Sequence, residues 1–188
     1  MLRGVCAGLV TEVDVVARGG AVVRGLSESI QHNAVWIGRR NIKVGDYRFI
    51  VVHVGTNDVA DGRSVAAVSD DLKELLETVR RLNQDAVLLV SAVLYRPKDD
   101  LRTYQRVNAY NVAFKRVCDP FRSVLFLRTQ TLFKSGSLLL TQLYDVHGLH
   151  LNRDGLDRVG KYLRARLTRG THLRDFELAK RPIPGILR

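Results

Sequence analysis

Three short stretches of this chain carry residue types that do chemistry: Gly19-Gly20, Gly55-Thr56-Asn57-Asp58, and the run from Asp145 through His147 to His150. An asparagine amide donates hydrogen bonds, a glycine lets the backbone approach a ligand with no Cβ in the way, and a histidine exchanges a proton near neutral pH. Such groups suit a reaction in which negative charge builds on an oxygen, where one preorganised donor is worth roughly 3 kcal/mol. Each has a plainer reading. An isolated Asn-Asp is commonly a turn that caps its own loop, and a single histidine is commonly structural. Their place in the fold decides between these readings.

The surrounding pattern alternates strands and helices. Val10 to Ala17 is β-branched and alternating, Gly19-Gly20 breaks it, and a helix-like stretch follows from Val22 to Ile30. Phe49 to Val54 is a nearly continuous apolar run, the mark of a strand buried on both faces of a parallel sheet, with His53 assigned to the core. Val65, Val68, Leu72, Leu75, Leu76, Val79 and Leu82 recur at helical spacing, with Ser64 as N-cap and an end near Asn83. Ala86 to Ser91 predicts a strand, Leu101 to Cys118 a helix, Ser123 to Leu127 a strand, and Arg153 or Asp154 to about Arg169 a closing helix. The tail with Pro182 and Pro184 reads as extended. This is an α/β order, implying a parallel sheet with helices on both faces and sites at the carboxyl ends of the strands. Gly19-Gly20 and Gly55 to Asp58 both follow strands, and Asp145 to His150 precedes the last helix, so the three can converge.

With these blocks in this order, the sequence resembles the SGNH (GDSL-type) esterase-like hydrolases. Gly19-Gly20-Ala21 matches the family's glycine block, Val54-Gly55-Thr56-Asn57-Asp58 its Gly-x-Asn-Asp block, and Gly148-Leu149-His150-Leu151-Asn152 the block before its last helix. The resemblance implies a three-layer α/β/α, flavodoxin-like fold over residues 1–170, followed by a basic tail at 171–188. It implies Asn57 and Gly20 as oxyanion donors and His150 as general base, with Gly55, Asp58, Asp145 and His147 as further site candidates, a small ester as substrate, and neither cofactor nor metal. Two departures stand out. The family's Gly-Asp-Ser block and its strand, central in the sheet, would lie just upstream of Met1, so no nucleophile is assigned. Ser27 and Ser29 fall in a helix and Ser91 ends a strand, away from the strand-to-helix turn that exposes a nucleophile. His147 stands where the family's Asp-x-x-His has its aspartate, and Asp145 reaches His150 only if the loop bends. The expectation is an N-terminally truncated, catalytically impaired esterase-like domain.

Composition bounds the alternatives. Lys and Arg number 30 against 19 Asp and Glu, a formal charge of +11 that favours polyanions. From Arg153 to Arg188 there are ten basic and four acidic residues. The competing expectation is therefore a non-catalytic nucleic-acid or polyanion-binding module, and the stretch from Tyr144 to Asn152 is similar to esterase-like domains of retroelement-encoded proteins. Neither Gly-x-Gly-x-x-Gly nor a Walker-type lysine loop occurs, which sets nucleotide binding aside. Cys6 and Cys118 lack metal or redox spacing and read as buried thiols. No apolar run is long enough to span a bilayer and no secretion signal is read, which favours an intracellular location. His32 and His172 are assigned to the surface.

Overall fold

The periodicities seen in the sequence become elements close to their predicted bounds in the computed structural model, which describes residues 14–170. In chain order these are α1 (Val23–Gln31), a hairpin of β1 (Trp36–Ile37) and β2 (Arg40–Asn41), β3 (Phe49–Val52), α2 (Thr56–Ala60), α3 (Val65–Leu82) and β4 (Val87–Ser91). Then come α4 (Leu101–Cys118), β5 (Val124–Leu127), a second hairpin of β6 (Lys134–Ser135) and β7 (Leu138–Leu139), and α5 (Arg153–Gly170). Ser64 caps α3 as predicted, its side chain accepting from the Ala67 N–H, and Asp100 caps α4 through Thr103.

The sheet is parallel, ordered β3-β4-β5, with Val51 opposite Leu89 and Leu89 opposite Leu125. β4 lies in the middle and is buried at every residue. Alternation sends Leu88 and Val90 into a core with Leu72, Leu75, Leu76, Val79, Tyr110 and Phe114 of α3 and α4. Val87 and Leu89 face the opposite way, onto Leu163 and Leu167 of α5. Helices on both faces make the three layers. Each leucine taken fully from water contributes about 2 kcal/mol, so these two apolar seams supply most of what holds the layers together.

Two expectations change. Residues Asp14 to Arg18 run without strand pairing, while Val10 to Val13, Cys6 and residues 171–188 lie outside the described residues. The run Phe49 to Val54 is buried on one face only: Val52 and Val54 enter the core, whereas Val51 is 42% exposed and His53 is also exposed. The reason is the reach of α5, whose apolar stripe covers β4 and β5 but meets β3 only at Phe49. Among the described residues, no strand pairs with the other side of β3.

At the amino end of the sheet, Arg80 near the end of α3 holds three chain segments. Its Nη1 donates to the carbonyls of Gln84 and Ala86, its Nη2 to those of Arg122 and Ser123, at 2.6 to 3.2 Å. A planar fork is needed to meet four carbonyls at once, and a lysine cannot replace it. Arg80→Ala should lower stability by about 2 kcal/mol in urea unfolding, since it strands part-buried carbonyls, and Arg80→Lys should recover only part of that.

Candidate active site

The Gly55 turn admits no other residue. Gly55 has φ of 110°, and a Cβ there would lie 2.9 Å from Val93 Cγ2 and 3.3 Å from the Phe114 ring. That left-handed turn takes the chain from β3 into α2 and carries Asn57 and Asp58 with it. The Asn57 side-chain amide donates to the carbonyl of Ala21 at 2.8 Å. The carboxylate of Asp58, fully buried, accepts from the Val23 backbone N–H at 3.0 Å, so it caps the start of α1. Its other oxygen accepts from Arg63 Nη1 at 2.7 Å, and Arg63 Nη2 stands 2.6 Å from Asp71 as an ion pair without hydrogen-bond geometry. The hydrogen bond to Asp58 first, and then the adjacent Asp71 carboxylate, raise the Arg63 pKa. Tyr110, with its phenol pushed up to about 12 by burial, donates to the Arg63 carbonyl at 2.9 Å.

These contacts bring two of the three predicted blocks together. Gly20 lies in an exposed turn with φ of 72°, next to Ala21, and its N–H bonds to no described residue. The second amide hydrogen of Asn57 is likewise unused among the described residues. Two donors therefore remain on adjoining segments, held by a buried carboxylate.

The third block sits on a separate loop. The Tyr144 hydroxyl donates to the Tyr95 carbonyl, which fastens this loop to the segment after β4, and the Tyr144 phenol is raised well above its ordinary pKa by burial. Gly148, with φ of 64°, packs so closely that a Cβ would come 3.0 Å from Pro97. Asp145 is spent on the turn itself: its carboxylate accepts from the Leu149 N–H at 2.9 Å, and its own N–H donates to the His150 carbonyl at 2.8 Å. The Leu149 N–H holds the Asp145 carboxyl below the usual carboxylate range, helped by the His150 backbone and then by the charges of His150 and His147. Asp145 thus serves the backbone rather than the His150 ring. The rings of His147 and His150 are exposed and make no hydrogen bond to a described residue. A shallow cleft of about 320 Å³ is lined by Pro97, Lys98, Thr141, Asp145, His147 and Gly148, and does not extend to His150, Asn57 or Gly20. No hydrogen bond joins His150 to Asn57 or Gly20.

A further polar rung was not legible in the sequence. His53 Nδ1 lies 2.9 Å from Ser91 Oγ, which lies 2.7 Å from Thr129 Oγ1, so the carboxyl ends of β3, β4 and β5 are linked in turn. Although the ring has an exposed surface, it stands among densely packed protein atoms, and this desolvation lowers its pKa. The Ser91 hydroxyl is buried, with His53, Thr129 and, at 3.3 Å, the Ala92 carbonyl around it, and the Thr129 hydroxyl also lies 3.2 Å from that carbonyl. This is a strand-linking network and not a poised nucleophile. The alternation of His53 with core valines concealed it.

A profile of the GDSL-like lipase/acylhydrolase family matches residues 4–158. The chain belongs to that family. Solved structures agree in fold. A Streptococcus pneumonia protein, provisionally named as a platelet activating factor, superposes with a TM-score of 0.70 at 20% identity, covering 84% of this chain and 74% of that one. A family 3 carbohydrate esterase from Talaromyces cellulolyticus gives 0.60 at 14% identity, over 80% and 68% of the two chains. A family 3 carbohydrate esterase from Clostridium thermocellum gives 0.55 at 13%, over 85% and 69%. No curated protein sequence matches significantly. Within the described residues, no helix is long and apolar enough to cross a membrane.

As a member of this family, the chain carries a loop before its last helix whose shape rests on an ionised Asp145. A depressed carboxyl pKa stabilises the fold fully above the unfolded value, about 3.8, and that contribution is lost as pH falls through the lower folded value. Asp145→Asn should lower stability at neutral pH, flatten the acid limb of the stability profile, and speed hydrogen exchange at the Leu149 amide.

Proposed function

We propose that this domain is an SGNH-type ester hydrolase in design, acting on small acyl esters, with Gly20 and Asn57 as oxyanion donors and His150 as general base, and that its catalysis is impaired because His147 stands where the family has an aspartate. The observation that carries the reading is the Asn57 to Ala21 hydrogen bond, which ties the Asn57 amide to the segment next to Gly20, whose N–H bonds to no described residue. Attack on an ester carbonyl transfers charge to its oxygen, and donors already fixed in place stabilise that charge without reorganising. The exposed imidazole of His150 has the chemistry to take a proton from a nucleophile and return it to the leaving alcohol.

Impairment follows from what the described residues supply. Ser27 and Ser29 lie in α1 and Ser91 is enclosed, so none stands at a strand-to-helix turn. Asp145 is committed to Leu149 and His147 cannot supply a negative charge, so nothing among the described residues fixes the His150 tautomer. The net charge of +11 supports a second reading, a role in binding nucleic acid or another polyanion.

Hydrolysis of p-nitrophenyl acetate by the chain alone should be barely above buffer. A version with a Gly-Asp-Ser strand grafted ahead of Met1 should gain at least about a hundredfold, and Asn57→Ala or His150→Ala in that background should remove most of the gain. A folded graft that stays inert, or whose turnover ignores both substitutions, would overturn the hydrolase reading.

A further inference from the structure

The end of the sheet remote from the Gly55 turn is where β3, β4 and β5 begin and where α3 ends. Asn83, after α3, donates to the carbonyls of Val44 and Tyr47 at 2.9 Å, and the Val87 N–H donates to the Arg48 carbonyl at 2.9 Å. Arg80 ties the same corner to residues 122 and 123. The β1–β2 hairpin leads straight into this corner.

At the hairpin stands Trp36, the one tryptophan of the chain, 53% exposed. Burial of a side chain this large is the rule, and here the ring is left in water opposite Asn41. Two basic residues of this hairpin region, Arg39 in the turn and Lys43 just after β2, are exposed and make no ion pair with a described residue; Arg40, by contrast, is paired with the buried carboxylate of Asp14. Arg48 before β3, Arg81 in the last turn of α3 and Arg122 before β5 are further exposed basic residues at this end of the sheet, where Asp46 and Asp85 are exposed acids. The negative end of the helix dipole accounts for basic residues in the last turn of α3, but neither Arg39 nor Lys43 stands at the carboxyl end of a helix.

We propose that the β1–β2 hairpin and this basic corner form a docking surface for single-stranded nucleic acid, with Trp36 stacking on a base and Arg39 and Lys43 contacting phosphates. The inference builds on the polyanion reading and is independent of the ester site, which lies at the other end of the sheet. An aromatic face on the same hairpin region as Arg39 and Lys43, which no described acid pairs, fits a strand whose bases are free to stack; a sulfated polysaccharide offers charge but no base.

The full chain can be titrated with a short oligouridylate at low salt while Trp36 emission is read directly, and with heparin in parallel. Stacking predicts quenching by the RNA and little by heparin. By anisotropy of labelled RNA, Trp36→Ala should bind about tenfold more weakly with Trp36→Phe close to the parent, and the Arg39→Glu, Lys43→Glu pair should both weaken binding and flatten its dependence on salt. RNA binding that leaves Trp36 emission unchanged, or is indifferent to these substitutions, overturns the hairpin surface while sparing the polyanion reading. Absence of any RNA or heparin binding at low salt overturns both.

Discussion

The arrangement at the carboxyl end of the sheet depends on one buried carboxylate. Asp58 accepts from the first N–H of α1 and from Arg63, and so fixes the angle at which the chain leaves the Gly19-Gly20 turn. Without it, the start of α1 would lose a cap and Arg63 would face Asp71 alone. A buried acceptor that satisfies a helix N-terminus and an arginine together is difficult to replace, because removing one member strands the others. The Asn57 to Ala21 bond then follows from geometry, since Asn57 is the neighbour of Asp58 and Ala21 lies two residues before Val23.

Function and packing share this turn. Gly55 is required because its backbone is left-handed and Val93 and Phe114 fill the space a Cβ would take. Val93 is in turn held by Asn111 of α4, whose side chain both accepts from its N–H and donates to its carbonyl. The donors at Gly20 and Asn57 therefore rest on the same core that joins α4 to the sheet. The loop from Asp145 to His150 is built separately, on Tyr144, Gly148 and its own backbone bonds, and its histidines are left exposed.

Much of this was legible in the sequence where a single physical cause acts. The spacing of Val68, Leu72, Leu75 and Leu76 fixed α3 because an amphipathic stripe has one use, and Ser64 marked its start. The α/β order and the Gly55 to Asp58 turn were legible for the same reason, as was the family. What the sequence concealed depends on which neighbour covers which face. Phe49 to Val54 reads as doubly buried, but α5 passes it by and leaves Val51 and His53 at the surface. From the sequence, Asp145 reaches His150 only if the loop bends; a short polar side chain in a tight turn finds its nearest donor in the backbone, here Leu149. Its block marks Asp58 as a site residue, but its capping of α1 depends on Val23 lying against it, which no sequence spacing shows.

The central claim is that Asp58 holds the glycine turn and the Asn57 turn as one unit. Site-resolved hydrogen exchange of Asp58→Asn against the parent chain tests this directly. The account predicts faster exchange confined to Gly20–Arg24 and Thr56–Asp61, with β4 and α4 little changed; exchange unaltered in those two segments, or accelerated evenly through the whole sheet, would contradict it.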